Sequence, residues 1–369
     1  MKILHIIPDL SAKTGGPVAA LKSMSSSQVE LGHEVSIITT DYDLDKNIEI
    51  KNVKILYFNC NIGAIRYSRS LKKYLKDNIV EFDIVHIHTI WQYPTFIAGK
   101  ICKKYNIPYI LRPCGMLDKW SFKQKKLKKT VYYNLIEKKT IKNASAIHCT
   151  SKLEEKESAK HLINSIIFII PLSINISPKL KQKTISKPYI LYLSRLHYKK
   201  QPDLLIKSFS KIINDYPKYQ LVFAGPCENT YMQKLLNLIR IHKLEENVIL
   251  KGMVVGKNKE NLLANADIFV LPSHHENFGI AVAEAMGAGL PVIVGEKVAL
   301  SDDIIKHNAG LVVKLTGGDI AKAMKELLNS PAKRKVMGNN GYEYVKNHLS
   351  KEKIAKQLIN KYKTIINGK

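Results

Sequence analysis

Residues 267–291 read DIFVLPSHHENFGIAVAEAMGAGLP, and the interpretation of the whole chain starts from this stretch. Its opening apolar run predicts a buried strand that ends at Pro272. A polar loop with Glu276 follows, and good helix formers, Glu284 among them, begin near Gly279. A helix start offers free backbone N–H groups and a positive dipole end, which suit a phosphate. Carboxylates suit hydroxyls, so both glutamates are expected to face one ligand across the helix start, and a sugar nucleotide carries both kinds of group.

The length of the chain predicts two domains. It has 369 residues, of which 45% are hydrophobic and 24% charged, an ordinary balance for a soluble globular protein. No apolar stretch approaches the roughly 18 residues that span a bilayer, and the N-terminal run is too short for a signal peptide. Five scattered cysteines, odd in number and without metal-ligand spacing, fit a reduced compartment. We therefore expect a cytoplasmic protein.

The formal charge of +27 is the one unusual total. A nucleic-acid binder would carry a recognition motif beside its basic surface, and the sequence contains none, so no nucleic-acid partner is expected. An anionic membrane surface or a polyanionic acceptor is a second interpretation. The third is that lysine is simply the preferred surface residue of a chain rich in Lys, Ile and Asn. The last two interpretations stay open.

Strand-like and helix-like segments alternate along nearly the whole chain. The first strand, at 3–7, is followed by a turn at Gly15–Gly16, a helix and a second strand, which predicts a parallel sheet. The alternation stops in a polar, basic, proline-bounded segment and then restarts. The predicted fold class is therefore α/β with two successive arrays, and two facing arrays would hold a ligand in the cleft between them. The expected divisions are a first Rossmann-like domain over 1–172, a linker over 173–187, a second domain over 188–350 and a final helix over 351–369.

Several candidate contacts follow strands directly, where an open parallel sheet binds its ligands. Arg195 ends one strand and Lys200 lies five residues later; a planar fork and a point charge on one turn can bracket a diphosphate. A solvated basic turn is the alternative. Gly225 ends the next strand. Gly15–Gly16 does not match the three-glycine dinucleotide pattern, and glycine pairs are common in ordinary turns. Its place after the first strand keeps open a second interpretation, a phosphate contact through its backbone N–H groups.

Other residues have a structural and a functional interpretation side by side. Phe278 is a core plug, and the missing side chain at Gly279 lets a phosphate or sugar come close. His88 ends a strand on the ligand side, although histidines in strands are more often structural. The segment Trp120–Lys142 interleaves lysines with aromatic residues, which is typical either of an interfacial helix or of a solvated face over core aromatics. The sequence has no Walker loop and no zinc spacing.

Together these segments resemble the retaining glycosyltransferases of family 4, the group 1 transferases, which have the GT-B fold of two facing Rossmann-like domains. The resemblance covers nearly the whole chain and is most specific in its second half. SRLHYKK at 194–200 resembles the family's G-R-L-x-P-x-K turn, LVFAGP at 221–226 its strand ending in A-G, and residues 267–293 its signature block. In the first half, GGP, LGHEVSIITTD, DIVHIHTIW and RPCGMLDKWS are similar to family text.

The resemblance implies a role for each matching position. Arg195 and Lys200 would hold the donor diphosphate and stabilise the leaving nucleotide. Glu284 would bind the ribose hydroxyls, Glu276 the transferred sugar, and Gly16 would approach the phosphates from the first domain, to which the last helix would cross back. The implied donor-binding residues are Gly15, Gly16, Arg195, Lys200, Gly225, Glu276, Asn277, Phe278, Gly279, Ile280 and Glu284. The implied catalytic residues are Glu276, Arg195, Lys200 and His88.

The chain departs from the family pattern at some positions. Ser194 and Gln201 stand where glycines are usual, and the linker reads PLSIN where P-N-G-I-D is common. Cys114 stands where family members often carry a histidine that contacts the sugar. His88 is therefore the better candidate for a polar contact from the first domain.

These observations lead to an expected function. The chain should be a metal-independent, retaining hexosyltransferase-type enzyme without a cofactor, which moves a sugar from a UDP- or GDP-sugar to a glycan or polyprenyl-linked acceptor. The expected setting is bacterial surface polysaccharide synthesis, as for lipopolysaccharide or capsule, at the inner face of the cell membrane. The alternatives are a sugar-nucleotide epimerase of the same fold and a non-catalytic basic binding protein on this scaffold.

Overall fold

A computed structural model describes residues 1–11, 14–44, 48–124, 126–162, 165–176 and 187–368. Its contacts divide the chain into two compact units. Unit 1 comprises Met1–Ser173 and the segment from Lys351 onwards, and unit 2 comprises Ile174–Ser350. Most of the expected linker lies outside the described residues, because 177–186 belong to the part left out.

Unit 1 is built on a sheet of seven parallel strands in the order β3-β2-β1-β4-β5-β6-β7. Side chains on the central strands are buried on both faces, as expected where helices cover a parallel sheet. The strands are β1 (Lys2–Ile6), β2 (Glu34–Thr40), β3 (Lys54–Phe58), β4 (Ile84–His88), β5 (Tyr109–Arg112), β6 (Ala146–Cys149) and β7 (Ile167–Ile169).

The helices of unit 1 follow the strands in the predicted alternation. Several begin at a side chain that accepts a backbone N–H, as Ser68 does from Leu71 and Ser151 from Glu154. The helices before the second unit are α1 (Gly16–Glu30), α2 (Arg69–Asn78), α3 (Tyr93–Lys104), α4 (Lys119–Lys123), α5 (Lys126–Tyr132), α6 (Lys138–Asn143) and α7 (Lys152–Ser158). A π-helical segment, Tyr133–Glu137, joins α5 to α6.

Unit 2 repeats the plan with six parallel strands in the order β10-β9-β8-β11-β12-β13. The strands are β8 (Tyr189–Leu193), β9 (Gln220–Ala224), β10 (Val248–Leu250), β11 (Ile268–Leu271), β12 (Val292–Gly295) and β13 (Gly310–Val313). The helices are α8 (Pro202–Ser210), α9 (Asn229–Ile241), α10 (Gly256–Asn265), α11 (Ile280–Gly287), α12 (Ser301–Lys306), α13 (Gly317–Leu328) and α14 (Pro331–His348). The two parallel sheets confirm the predicted α/β class.

Tight turns follow the helix α8 of unit 2. The helix ends at Ser210, and residues 211–215 form turns. In these turns the N–H groups of Lys211 and Ile212 bond to carbonyls only three residues back. Pro217 lies just beyond, and a proline disfavours the helical conformation in the residue before it.

The last helix, α15 (Lys351–Asn367), packs on unit 1. Its buried face, with Ile354, Leu358 and Tyr362, joins a core that includes Ile3 of β1 and Met24 of α1. Apolar residues recur at helical spacing along α15, and this periodicity creates the face that it buries. Within the described residues, no helix has both the length and the apolar character that a membrane span needs.

Candidate active site

The start of α11 lies where the sequence predicts it. Gly279 precedes the helix with a φ of 91°, a left-handed conformation that glycine adopts without a steric penalty. The helix bond from the Ala283 N–H to the Gly279 carbonyl is 3.0 Å long. The first turn contains no acidic residue and has no side-chain cap. Its leading N–H groups lack intrahelical acceptors and form an electropositive end beside the loop after β11.

Two loops that follow neighbouring strands are hydrogen-bonded to each other beside this helix start. β8 and β11 pair in parallel, so their carboxyl ends meet at one edge of the sheet. The carbonyl of Lys199, in the turn after β8, accepts the His274 N–H at 2.9 Å and the Ser273 hydroxyl at 3.3 Å. The turn after β8 and the loop after β11 are therefore held in fixed register.

This register brings two predicted site residues into contact. Lys200 donates a hydrogen bond to the Glu276 carboxylate, and the two form an ion pair. Both side chains are mostly buried, with 16% of Lys200 and 13% of Glu276 exposed. The Glu276 backbone is also fixed, because its N–H donates to Lys297 and its carbonyl accepts from Ala299. A cation and a carboxylate thus stand together at the sheet edge on a rigid support.

The second predicted carboxylate has a partner that the sequence analysis did not identify. Glu284 lies on α11, and its Oε1 is 2.6 Å from Nζ of Lys259 on α10. Both side chains are partly exposed, at 21% and 31%. Lys259 is one of many lysines in the chain and lies outside every recognised motif, so only the tertiary structure reveals the pair.

Arg195 follows β8 as predicted, and its side chain is exposed. Its carbonyl accepts a 3.1 Å hydrogen bond from the buried Tyr192 hydroxyl. Burial, with the Glu276 charge as a further cause, raises the pKa of Tyr192 well above its usual range, so the phenol keeps the proton that it donates. Burial, followed by the Arg195 cation, lowers the pKa of His197 on the same turn. The backbone of this basic turn is therefore anchored while the guanidinium stays accessible.

The remaining residues of the predicted donor pocket have mixed environments. Phe278 is 4% exposed, in agreement with its expected role as a core plug. Gly279 is buried, whereas Asn277 and Ile280 are partly exposed on either side of this pair. The structure also gives Gly225 a packing role, because a Cβ there would lie 2.0 Å from the Ser194 carbonyl oxygen. Glycine is needed at that position whether or not a ligand approaches it.

In unit 1, Gly15 and Gly16 form the exposed start of α1. Gly15 caps the helix with a φ of 66°, and its carbonyl accepts the N–H groups of Val18 and Ala19. This places the pair after β1, at the helix start that the sequence predicts. A phosphate contact by this turn stays a prediction.

The structure does not support the expected catalytic role of His88. The side chain is fully buried, and both ring nitrogens are occupied: Nδ1 accepts from Arg112 at 2.9 Å and Nε2 contacts Nδ1 of His5 at 2.9 Å. Arg112 Nε carries a hydrogen, so His88 must be the tautomer that donates from Nε2. His5 then donates to Gln28 Oε1 at 2.7 Å. His88 is therefore one member of an internal hydrogen-bond chain.

The same chain continues to the C-terminal helix and across the sheet. Gln28 donates to the Tyr362 hydroxyl at 3.3 Å, and this hydroxyl lies 2.6 Å from His86 Nδ1. His86 Nε2 lies 3.3 Å from His148 Nδ1, and His148 Nε2 is 2.8 Å from the Ile170 carbonyl. That carbonyl only accepts, which forces every donor along the chain to point the same way. The arrangement holds only while the histidines are neutral.

Three of these histidines lie close enough together to be considered as metal ligands: His5, His86 and His88. All their ring nitrogens already take part in the hydrogen-bond chain, and the Arg112 cation lies against His88. A cation beside a neutral, fully engaged cluster opposes a second cation. The chemistry of the cluster therefore favours a structural role.

Cys114 lies on a turn after β5 with a φ of 57°. Its thiol donates to the Arg112 carbonyl at 3.4 Å, and burial raises its pKa. The next residue, Gly115, donates its N–H to the fully buried Glu154 at 2.7 Å. The thiol thus stays protonated and stabilises the turn through its hydrogen bond. Glu154, whose carboxylate holds the backbone of the turn, was not among the residues predicted from the sequence.

Family models and known proteins match successive parts of this sequence. The family model described as Glycosyltransferase Family 4 matches residues 14–177, and the model described as Glycosyl transferases group 1 matches residues 175–344. An uncharacterized glycosyltransferase of Methanocaldococcus jannaschii is 28% identical over 383 aligned positions, which cover 95% of this chain and 94% of that protein.

Solved structures share the fold over the full length. Sucrose-phosphate synthase from Thermosynechococcus elongatus superposes with a TM-score of 0.81 at 19% identity, covering 100% of both chains. HepE of Anabaena in complex with UDP-glucose has a TM-score of 0.80 at 16% identity and covers 99% of this chain and 100% of its own. Since the two family models also match successive parts of the sequence from residue 14 to residue 344, the chain belongs to the group 1 glycosyltransferases of family 4 and has the GT-B fold.

Proposed function

We propose that this glycosyltransferase is retaining and metal-independent, and that it transfers a hexose from a UDP- or GDP-sugar to a glycan or lipid-linked glycan. The proposal rests on the Lys200–Glu276 ion pair. The hydrogen-bonded loops after β8 and β11 hold this pair beside the electropositive start of α11. A cation and free N–H groups suit the diphosphate, on which negative charge develops, and a carboxylate suits the sugar hydroxyls. One place therefore offers both kinds of contact that a sugar nucleotide needs.

The proposed chemistry follows from where charge develops. When the glycosidic bond to the nucleotide breaks, negative charge accumulates on the diphosphate. Arg195, Lys200 and the first N–H groups of α11 are preorganised to stabilise this charge, so the proposal needs neither a metal ion nor a cofactor. Glu276 would orient the transferred sugar through its hydroxyls, and Glu284 would accept from the ribose. NMR of the product anomer tests retention, and full activity in excess chelator tests metal independence.

The donor proposal has support from a structural neighbour. HepE of Anabaena holds UDP-glucose in a chain of the same fold. The base and the sugar for the present chain are best found by a thermal-shift screen of UDP- and GDP-sugars, because at one ligand concentration the tighter ligand stabilises the folded state more.

We also propose a lipid-linked acceptor in bacterial surface polysaccharide synthesis, as for lipopolysaccharide or capsule, handled at the inner face of the membrane. The support is the family resemblance and the net charge of +27, which would attract anionic lipid or a polyprenyl diphosphate. Transfer of a labelled hexose to polyprenyl-diphosphate sugars, but not to water, would support this acceptor class.

The phosphate-binding roles of Arg195 and Lys200 are tested by substitution. Arg195→Ala and Lys200→Ala should each lower donor turnover by about 10²–10³-fold, the usual cost of one lost transition-state charge contact. Lys207→Ala, an exposed lysine on α8, is the matched control and should keep wild-type turnover. Full donor turnover in both test variants would refute the assignment. A product with an inverted ring carbon and no transfer would indicate the epimerase alternative.

A further inference from the structure

The helix formed by α5 and the following π-helical segment exposes a stripe of aliphatic side chains. Leu127, Val131 and Leu135 are 81%, 52% and 69% exposed. They follow one another at four-residue intervals, about one helical turn, so they share one side of the helix. Single exposed apolar residues are common, but three in a row along one helix form a continuous apolar edge.

The aromatic residues of the same region face the opposite way. Phe122 is 7% exposed and stacks on His161 with ring centroids 4.3 Å apart. Trp91 lies edge-on to Phe122 at 5.9 Å and to Tyr132 at 6.0 Å. The sequence left open whether this segment is an interfacial helix or a solvated face over core aromatic residues, and the structure packs Phe122 and Tyr132 against Trp91. The aliphatic stripe is left on the outside.

Lysines carry the exposed charge of this helix and its flanking residues. Glu137 is the acidic residue among the described positions of 119–143, and it is 1% exposed with its carboxylate accepting the Trp91 N–H at 2.8 Å. All the exposed charged side chains at those positions are lysines: Lys119, Lys123, Lys126, Lys128, Lys138, Lys139 and Lys142. At one end of the segment the Glu157 carboxylate accepts the Lys119 N–H at 3.3 Å. The exposed charge of the helix itself is cationic, and the complementary partner is anionic with an apolar layer beneath.

We propose that this face, defined by Leu127, Val131 and Leu135 with their surrounding lysines, docks on the anionic surface of a lipid bilayer. The aliphatic side chains would enter the boundary between headgroups and acyl chains, and the lysines would contact lipid phosphates. The helix would lie in the plane of the interface. The inference deepens the proposed function, since it rests on a lipid-linked acceptor and assigns the element that meets the membrane.

The charge pattern favours a bilayer over a folded partner. A protein interface surrounds an apolar core with mixed polar groups and depletes lysine. Here the apolar surface is a single row of three side chains with many lysines around it. Helices that lie on anionic membranes have this composition. Such binding needs both parts, so removing either the stripe or its lysines should weaken it.

The test is cosedimentation of the full chain with vesicles of phosphatidylcholine alone or mixed with phosphatidylglycerol. We expect wild-type protein to bind the mixed vesicles at low salt and to be released by high salt. The triple variant Leu127→Gln/Val131→Gln/Leu135→Gln should bind on the order of tenfold more weakly or worse. Its control is Val80→Gln/Val336→Gln, two apolar positions 60% and 53% exposed elsewhere, which should bind like the wild type.

A second pair of variants isolates the charge. Lys126→Gln/Lys128→Gln/Lys138→Gln should reduce binding to mixed vesicles by about a hundredfold. Lys306→Gln/Lys322→Gln/Lys335→Gln removes the same net charge from exposed positions of unit 2 and should reduce it far less. Equal losses in the two triples would mean that overall charge, and not this face, binds the membrane, which would overturn the proposal.

Other results would also overturn the proposal. These are no binding by the wild type, no effect of the stripe variant, and a dimer that the stripe variant dissociates without lipid. Nucleotide release from the donor, measured without vesicles, keeps this test separate from the proposed function. The wild type and all the variants should release nucleotide at the same rate. If the wild type releases none, the enzyme assignment is wrong, but the docking face is not affected by that result.

Discussion

At the scale of single residues, Lys259 forms an ion pair with a carboxylate that was predicted to bind the ligand. Its ammonium group holds Glu284 at 2.6 Å, so the carboxylate proposed for the ribose already has a partner in the folded chain. Ion pairs between partly exposed side chains contribute only about 0.2–1 kcal/mol. Glu284 can therefore turn to a ligand hydroxyl at small cost, and its carboxylate should matter more to binding than the lysine that orients it.

This difference gives a prediction for nucleotide binding. Glu284→Ala should weaken UDP or GDP affinity by roughly ten- to a hundredfold, because a hydrogen bond to a charged group usually contributes that much to binding. Lys259→Ala should weaken it by no more than about fivefold. Titration calorimetry measures both. If the lysine variant loses as much affinity as the glutamate variant, Lys259 itself contacts the nucleotide and the division of roles is wrong.

Gly225 yields a stability prediction at the same scale. Its φ is +148°, and a Cβ would lie 2.0 Å from the Ser194 carbonyl oxygen, so Gly225→Ala must displace backbone. We expect a loss of about 2–4 kcal/mol in the stability of unit 2. Gly252, whose carbonyl accepts the Gly225 N–H, is the matched control: its φ is +66° with nothing within 4 Å of a Cβ.

Gly252→Ala should cost only about 1–2 kcal/mol, because it adds left-handed strain without a clash. Urea unfolding followed by far-UV circular dichroism compares the two variants. Equal costs would mean that the backbone conformation, and not the contact with Ser194, sets the requirement for glycine at position 225.

The C-terminal helix α15 shows what one element contributes. It follows unit 2 in sequence but belongs to unit 1, where Tyr362 is fully buried among the strands' histidines. The Tyr362 hydroxyl donates toward His86 and accepts from Gln28, and so links α15 to both the sheet and α1. The helix is therefore attached by a polar connection as well as by its apolar face.

Tyr362→Phe tests this connection. The ring and its packing remain, but His86 loses a donor and Gln28 an acceptor inside a buried site, which typically costs about 1–3 kcal/mol. Tyr105→Phe, a half-buried tyrosine of unit 1 outside the chain of hydrogen bonds, should be nearly neutral. Both tryptophans, Trp91 and Trp120, lie in unit 1, so tryptophan fluorescence during urea unfolding reports this unit alone. Equal stability of the two variants would contradict a bonded role for the hydroxyl.

At the scale of the whole molecule, the buried histidines make one unit sensitive to acid. Burial lowers the pKa of His5 from 6.5 to about 4 and that of His148 to about 3, and it lowers the pKa of His86 and His88 well below the ordinary value. The unfolded chain, with ordinary histidines, therefore binds more protons than the folded chain in mild acid. The contribution of these histidines to the free energy of unfolding must therefore fall as the pH decreases through this window.

We predict that the neutral histidines contribute fully to the free energy of unfolding of unit 1 above about pH 6.5. This contribution is lost progressively as the pH decreases toward about 4. His5 alone removes on the order of 3 kcal/mol by the time the pH reaches its folded pKa. Urea unfolding by tryptophan fluorescence at a series of pH values measures the slope. His242→Gln, a histidine of unit 2, is the control and should leave it unchanged. Glu137 of the same unit opposes this slope, because burial raises its pKa from 4.5 to about 7 and the folded chain therefore holds a proton that the unfolded chain has lost. The measurement is made in a Glu137→Gln background, where a pH-independent midpoint would show that the buried histidines are not neutral.

The alternating strands and helices, the parallel sheets and the helix start at Gly279 could all be predicted because they depend on local information. Periodicity distinguishes strand from helix, glycine and proline mark their ends, and carboxyl ends of parallel strands share an edge. The same rule placed Lys200 and Glu276 at one edge, and the structure brings them into contact.

Other features depend on contacts between residues far apart in sequence, and no local pattern reports those. The Lys259 partner of Glu284, the occupied nitrogens of His88 and the carbonyl that excludes a side chain at Gly225 are all of this kind. The outward direction of Leu127, Val131 and Leu135 is another, because it depends on which side of the helix its neighbours cover. Sequence alone therefore determined the elements, their order and the family. Tertiary packing decided which side chains are paired, buried or free to act, because burial and pairing are properties of the assembled chain.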